Sequence, residues 1–264
     1  MNSSEFAEKA INESRFSFAR DVNLYMFSSI ISFAFGIILK VFLANELGPS
    51  RLGIYTLLTT IFMLLCTYLG FGFSDSIIRF GAEHKLNQDR LYVYLTFGIK
   101  FLLLVSISGS LIFFFLSTYS SSFFNLSDRE HLFRILAFGI PFFVINNYFI
   151  GFYNGLRDIK TVSKAIIGRR TVLIITTFIL VFMGFDLEGA VIALVVSPIF
   201  VSIFFFNKLR NYFYRGSNKK FTGARRELFN LAIKELGAQS VGIINRQSTI
   251  LIIGFYLVSE ELGY

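Results

Sequence analysis

Tryptophan is absent, and the 264 residues hold one cysteine, three prolines and two histidines. The lone Cys66 lies inside an apolar run, which excludes an intrachain disulfide and leaves a Cys-based metal site without ligands. It reads as a small core residue. Acid is scarce too, at 17 Asp and Glu against 25 Lys and Arg. The resulting charge of +8 forms no basic stripe through polar, solvated structure. No zinc-finger or RNA-binding signature accompanies it, so nucleic acid is not the expected partner. Glu5, Glu8, Lys9, Glu13, Arg15, Arg20 and Asp21 rule out a cleavable signal peptide at the start. Residues 1–21 read instead as a polar helical tail ahead of a first membrane span.

What the chain has in abundance is apolar surface. Apolar residues make up 54% of it, 35 residues are Phe, and the mean hydropathy is +0.63. They come in runs of about 20, the length a helix needs to cross ~30 Å of hydrocarbon. Seven spans follow from the gaps between charges: Val22–Ala44, Gly53–Phe73, Leu91–Leu116, Ile135–Tyr153, Lys164–Phe185, Gly189–Phe206 and Gly237–Val258. Backbone groups in lipid must be satisfied within each segment, so the expected class is all-α and polytopic. The short alternating strands of a membrane barrel are not seen.

Lys and Arg are strongly biased to one side of these spans. Three lie in the tail, three in the 2–3 connection, five around the 4–5 connection and eight between spans six and seven. The opposite side has only Arg51, Arg129 and Arg134. By the positive-inside rule the N-terminus is cytoplasmic. The segment 208–228, which holds seven of the eight between spans six and seven, reads as a basic cytoplasmic linker and a contact for anionic lipid. The expected organisation is a tail (1–21), a six-helix lobe (22–207), this linker, and the start of a second lobe (229–264).

Ionisable residues inside spans are costly, so each needs a role. Ten residues separate Glu235 from Arg246 and thirteen separate Arg246 from Glu260, which places Arg246 near the middle of span seven. Its planar fork suits a pyrophosphate, or an ion pair within the bundle. Lys100 is a substrate-binding candidate if it is deep in span three, with snorkelling to the interface the favoured alternative. Snorkelling is also expected of Lys40. Arg169 and Arg170 fit interfacial anchors or the rim of a vestibule for anionic headgroups. Asp75 is the ion-coupling candidate, although Arg79 stands at i+4 and a structural pair is favoured. Asn146 and Asn147, mid-span in span four, suit sugar hydroxyls or an interhelical bond. Pro141 and Pro198 interrupt spans four and six and are hinge candidates.

Two phrases echo each other: "FLANELGPSRLGIY" after span one and "FYLVSEELGY" at residues 255–264. Six-helix units can repeat in parallel within one transporter, which would place span seven in register with span one. The stretches "LANELGPSRLGIYTLLTTIF", "GFGFSDSIIRFGAEHK", "GFYNGLRDIKTVSKA" and "INRQSTILIIGFYLVSEELGY" resemble the polysaccharide flippases of the multidrug/oligosaccharidyl-lipid/polysaccharide exporter superfamily. The resemblance implies a two-lobed transporter of twelve to fourteen helices, of which this sequence supplies the first lobe and one further helix. It also implies that a polyprenyl-(pyro)phosphate-linked oligosaccharide is moved from the cytoplasmic to the outer leaflet of the cell membrane by alternating access. The second lobe would come from a continuation of the chain or from a homodimer. Two positions depart from the family's pattern: Asn45, where Arg is common, and Ser248–Thr249, where an Asp is common. A coupling role for that Asp does not carry over.

Alternative readings are a cation-coupled multidrug exporter of the same superfamily and an inactive or partner-dependent membrane fragment. The exporter would need interior acids to hold organic cations, and Asp75 alone supplies little. Lipid-modifying enzymes need a metal site, paired carboxylates or an activated nucleophile. With His84 and His131 on opposite sides and short outer loops, no enzyme, metal or cofactor is expected.

Overall fold

The computed structural model describes the backbone at residues 3–124, 126–214 and 223–256, and side chains at 19–124, 126–209 and 223–240. Among these residues the chain is helical throughout, with no strand. Its elements are α1 (Ser3–Leu69), α2 (Phe73–Glu83), α3 (Gln88–Phe115), α4 (Ser117–Phe123), α5 (Glu130–Gly155), α6 (Ile159–Leu180), α7 (Asp186–Tyr214) and α8 (Ala224–Tyr256). A 3₁₀ turn at Ser127–Arg129 leads into α5, and a π turn at Val181–Phe185 joins α6 to α7.

Two continuous helical stretches, Ala19–Leu69 and Ile159–Leu209, run to 51 residues each. At 1.5 Å per residue that is ~77 Å, more than twice the hydrocarbon thickness. Each must double back, and the backbone shows where. Gly48, at φ 75° and ψ 172°, turns α1 just before Pro49. Gly184, at φ 87°, turns the second stretch. Both corners need a left-handed φ, which glycine adopts without a Cβ penalty. The corners meet, because Arg51 donates to the Asp186 carboxylate. Beside them His131 Nε2 lies 2.9 Å from Glu188 Oε1. Counting both arms of α1, with α2 continuing the second, the described residues make seven helical passes. The chain is a polytopic all-α membrane protein.

The second pass is broken in mid-course. Its first part ends at Leu69, Phe71 and Gly72 adopt left-handed φ of 51° and 67°, and α2 then starts afresh. The expected end at Phe73 is therefore an internal break, and the helix resumes to Glu83. The cause is α8. A methyl built at Gly72 would run into the Ala232 carbonyl and come within 2.7 Å of the Leu236 nitrogen. Leu228 and Ala232 are fully buried in this contact, and Phe229 stacks on Phe71.

Other boundaries shift outward from the expected spans. The tail continues unbroken into the first pass. α7 runs to Tyr214 and α8 starts at Ala224, so both flanks of the expected 208–228 linker are helical among the described residues. Its apolar residues explain this: Leu209, Ala224 and Leu228 are buried on the lobe, and Tyr94 donates to Glu227 at 3.1 Å. Residues 257–264, which carry most of the repeated phrase, lie outside the described residues.

At the centre stands α5, buried along nearly its whole length. It meets α2 through Gly151 and Gly155, a small-xxx-small pair that brings backbones close. A methyl at Gly155 would lie 2.6 Å from the Ile78 carbonyl and 3.1 Å from Gly81 Cα. On its other flank Asn146 Nδ2 donates to the Pro198 carbonyl at 2.7 Å, and Ser202 donates to Asn146 Oδ1 at 3.0 Å. Both prolines sit inside continuous helices; the sharp turns of the chain fall at glycines instead.

Candidate functional site

The first arm of α1 crosses α6 and the second arm, and a cavity of about 360 Å³ opens between them. Ser32, Gly36 and Lys40 line it from the first arm, at successive i+4 positions on one helix stripe. Tyr55, Thr59 and Met63 line it from the second arm with the same spacing. Arg169 and Arg170 come from α6, Phe143 from α5 and Ser197 from α7.

The two arginines are held by neutral partners. Arg169 donates to Asn147 Oδ1 at 3.3 Å, and its guanidinium lies 4.8 Å from the Phe143 ring centroid. Arg170 Nε donates to Ser32 Oγ at 3.1 Å. The wall contains no Asp or Glu. Among the described residues, none of the ion pairs involves Lys40, Arg169 or Arg170. An arginine within a membrane helix costs about 3 kcal/mol on insertion scales. Two of them side by side, with no anion to offset them, leave the cavity open to a negatively charged ligand.

Further along the same arms lies a second cavity, of about 280 Å³. It occupies the break in the second pass and takes in Gly70, Gly72, Ser74 and Asp75, with Tyr25 from the first arm. Asn147, Gly151 and Asn154 close it from α5, and Gln239 from α8. Gln239 Nε2 donates to Asp75 Oδ2. Asn147 belongs to this wall while accepting from Arg169, so that hydrogen bond links the two cavities.

Several sequence expectations change at this point. Lys40, Arg169 and Arg170, read from the sequence as snorkelling or anchoring residues or as the rim of a vestibule, line the first cavity together. Asp75 is engaged by Gln239 rather than by Arg79, and no Asp75–Arg79 pair occurs among the described ion pairs. The contact arises because α8 packs across the helix break. Asn147 reaches the site, whereas its neighbour Asn146 is fully enclosed with its amide committed to α7. That places Asn146 in interhelix packing, away from both cavity walls. Lys100 is exposed on α3 and borders neither cavity. Arg246 lies within α8, and its side chain falls outside the described residues. His84 Nε2 is 2.8 Å from Arg90 Nη1, at the end opposite His131.

Tyr55, Thr59, Ser32, Asn154 and Gln239 were not anticipated. The Ser32–Gly36–Lys40 stripe was legible in principle, being a polar and small line through an apolar run. Gln239 and Asn154 carried no such signal, because only the docking of α8 and of α5 on α2 brings them to the break.

Comparison with known proteins puts this architecture in context. The chain is 30% identical over 122 residues to a putative O-antigen transporter of Shigella flexneri, an alignment covering 43% of this chain and 28% of that protein. It also shares the fold of a multidrug resistance MATE family transporter of the MOP superfamily, solved in an outward-facing conformation. There the TM-score is 0.64 at 17% identity, over 94% of this chain and 62% of the other. The chain thus spans under a third of the curated relative it matches and under two-thirds of the solved one. A family model described as polysaccharide biosynthesis protein matches residues 18–264, nearly the full length. The chain belongs to the polysaccharide biosynthesis protein family.

Proposed function

We propose that this chain is the first lobe, with the opening helix of a second, of a transporter that moves a lipid-linked oligosaccharide across the cell membrane by alternating access. The observation that carries the reading is the cavity bearing Lys40, Arg169 and Arg170 with no carboxylate on its wall. A polyprenyl (pyro)phosphate headgroup is anionic and polar and cannot enter hydrocarbon unaided. Guanidinium forks match phosphate oxygens bidentately, and the prenyl tail could stay in lipid. The end of the bundle holding Asp158 and Lys208 also carries most of the Lys and Arg. By the positive-inside rule that end is cytoplasmic, which gives export of the headgroup from the inner leaflet. The second lobe would be supplied by a longer chain or by a second copy. Export of organic cations is disfavoured by the same wall, which repels them.

The test is binding of a short-chain prenyl pyrophosphate to the protein in nanodiscs, with Arg170→Gln and Arg169→Gln beside the wild type. Each substitution should weaken binding about tenfold, the equivalent of ~1.4 kcal/mol. Unchanged affinity in both variants, or preferential binding of tetraphenylphosphonium, would overturn the reading.

A further inference from the structure

The second cavity differs in chemistry from the first. Among its lining residues there is no Lys or Arg, and the polar groups are one carboxylate, three amides, hydroxyls and a tyrosine: Asp75, Asn147, Asn154, Gln239, Ser74 and Tyr25. A sugar ring presents neighbouring hydroxyls that each donate and accept. A carboxylate or amide oxygen accepts from one hydroxyl while an amide N–H donates to the next, and an aromatic ring covers the apolar face. Gln239 occupies only Oδ2 of Asp75, leaving Oδ1 for a ligand. Asn147 uses its oxygen on Arg169, leaving its NH₂ to donate. No side-chain hydrogen bond of Asn154 is seen among the described residues.

Position agrees with chemistry. Along the first arm of α1 the wall passes from Tyr25 in the second cavity to Ser32 through Lys40 in the first. Along α5 it passes from Asn154, Gly151 and Asn147 to Phe143 in the same direction. The amide cavity therefore sits nearer the end from which α1 starts, and the arginine cavity lies deeper. Their join is the Arg169–Asn147 bond of 3.3 Å. A ligand with its phosphates on Arg169 and Arg170 would have the adjacent sugar at Asn147.

We propose that the cavity at the break of the second membrane pass is a carbohydrate subsite, holding the first sugar of the headgroup whose phosphates occupy the arginine cavity. The inference rests on the lipid-linked oligosaccharide reading and adds to it a named sugar site. Asp75 acts there as a hydroxyl acceptor. It stands in the first turn of α2, where the positive helix end already offsets its charge, so no cation is required beside it. Gln239 brings α8 into the subsite, so a bound sugar would bridge the first lobe to the helix that opens the next.

The test compares a prenyl pyrophosphate with its N-acetylhexosaminyl ester, the same prenyl chain in both, binding to the protein in nanodiscs. The wild type should bind the glycosylated probe about tenfold more tightly, as a few buried hydroxyl bonds allow. Asn154→Ala and Asp75→Asn should reduce that ratio to about one while leaving affinity for the unglycosylated probe unchanged. Asn154→Ala serves as the safer variant, since no side-chain bond within the bundle depends on it. If the wild type binds both probes equally, the sugar subsite is refuted and the transporter reading stands. If neither probe binds, the transporter reading itself falls. A preserved ratio in both variants, including one where Asp75→Asn only removes a sodium dependence, assigns the cavity to something other than sugar and also overturns the inference.

Discussion

Replacing Asn146 with alanine removes two hydrogen bonds between α5 and α7 at once: the donation to the Pro198 carbonyl at 2.7 Å and the acceptance from Ser202 at 3.0 Å. The amide is fully buried, so water cannot take its place. Interhelical hydrogen bonds in membrane proteins average about 0.6 kcal/mol and reach about 1.7. Leaving a buried partner unsatisfied adds to that. Asn146→Ala should therefore cost about 2 kcal/mol and Ser202→Ala about 1, with a coupling of about 1 in the double-mutant cycle. For a chain of this size 2 kcal/mol lowers the melting temperature by about 4–8 °C. Tryptophan fluorescence is not an option, because the chain has none. The single thiol serves instead: Cys66 is 1% exposed, so a thiol-reactive dye reports unfolding as that residue becomes accessible. Prenyl pyrophosphate affinity, measured well below the transition, should be unchanged. An Asn146→Ala protein that melts with the wild type but has lost affinity would refute this assignment and return Asn146 to the cargo site.

Two further outcomes follow from the same geometry. Gly72→Ala forces a left-handed φ on a residue with a Cβ, at ~1–2 kcal/mol, and drives that Cβ into the α8 backbone. It should lower the melting temperature markedly, whereas Gly168→Ala, with nothing within 4 Å, should leave it equal or higher. Equal melting of the two would contradict the packing of α8 on the helix break. At the start of α6, burial raises the Asp158 carboxyl, but bonds from Thr161 and Lys208 outweigh it and hold the group below the ordinary carboxylate range. A depressed folded value means stabilisation that is present above the unfolded value and lost as pH falls through the folded one. The stability gap between wild type and Asp158→Asn should thus be flat at neutral pH and close below about pH 4. A gap that persists in acid would mean that Asp158 acts by packing alone.

Hydropathy and charge alone were enough for the membrane class, the helical secondary structure, seven passes and the tendency of the chain to turn after Ala44 and near Phe185. Crossing length is a one-dimensional property: about 20 apolar residues either occur in succession or do not. The stretches around Gly48 and Asp75 likewise carried the family, which rests on residue order and not on contacts. The site was legible only in part. Arg170, Asn147 and Asp75 stood out because an ionisable or amide group inside a span needs a partner. Which partner each one found depended on the faces that separate helices turn toward one another. Tertiary packing gathered Lys40, Arg169 and Arg170 on one cavity wall, and it enclosed Asn146 against Pro198 while leaving Asn147, one residue on, at the site. It also broke the second pass at Gly72, where the α8 backbone comes too close for any side chain. Adjacent positions on a helix differ by about 100° in direction, and only the neighbouring helices decide which of those directions is a cavity and which is core.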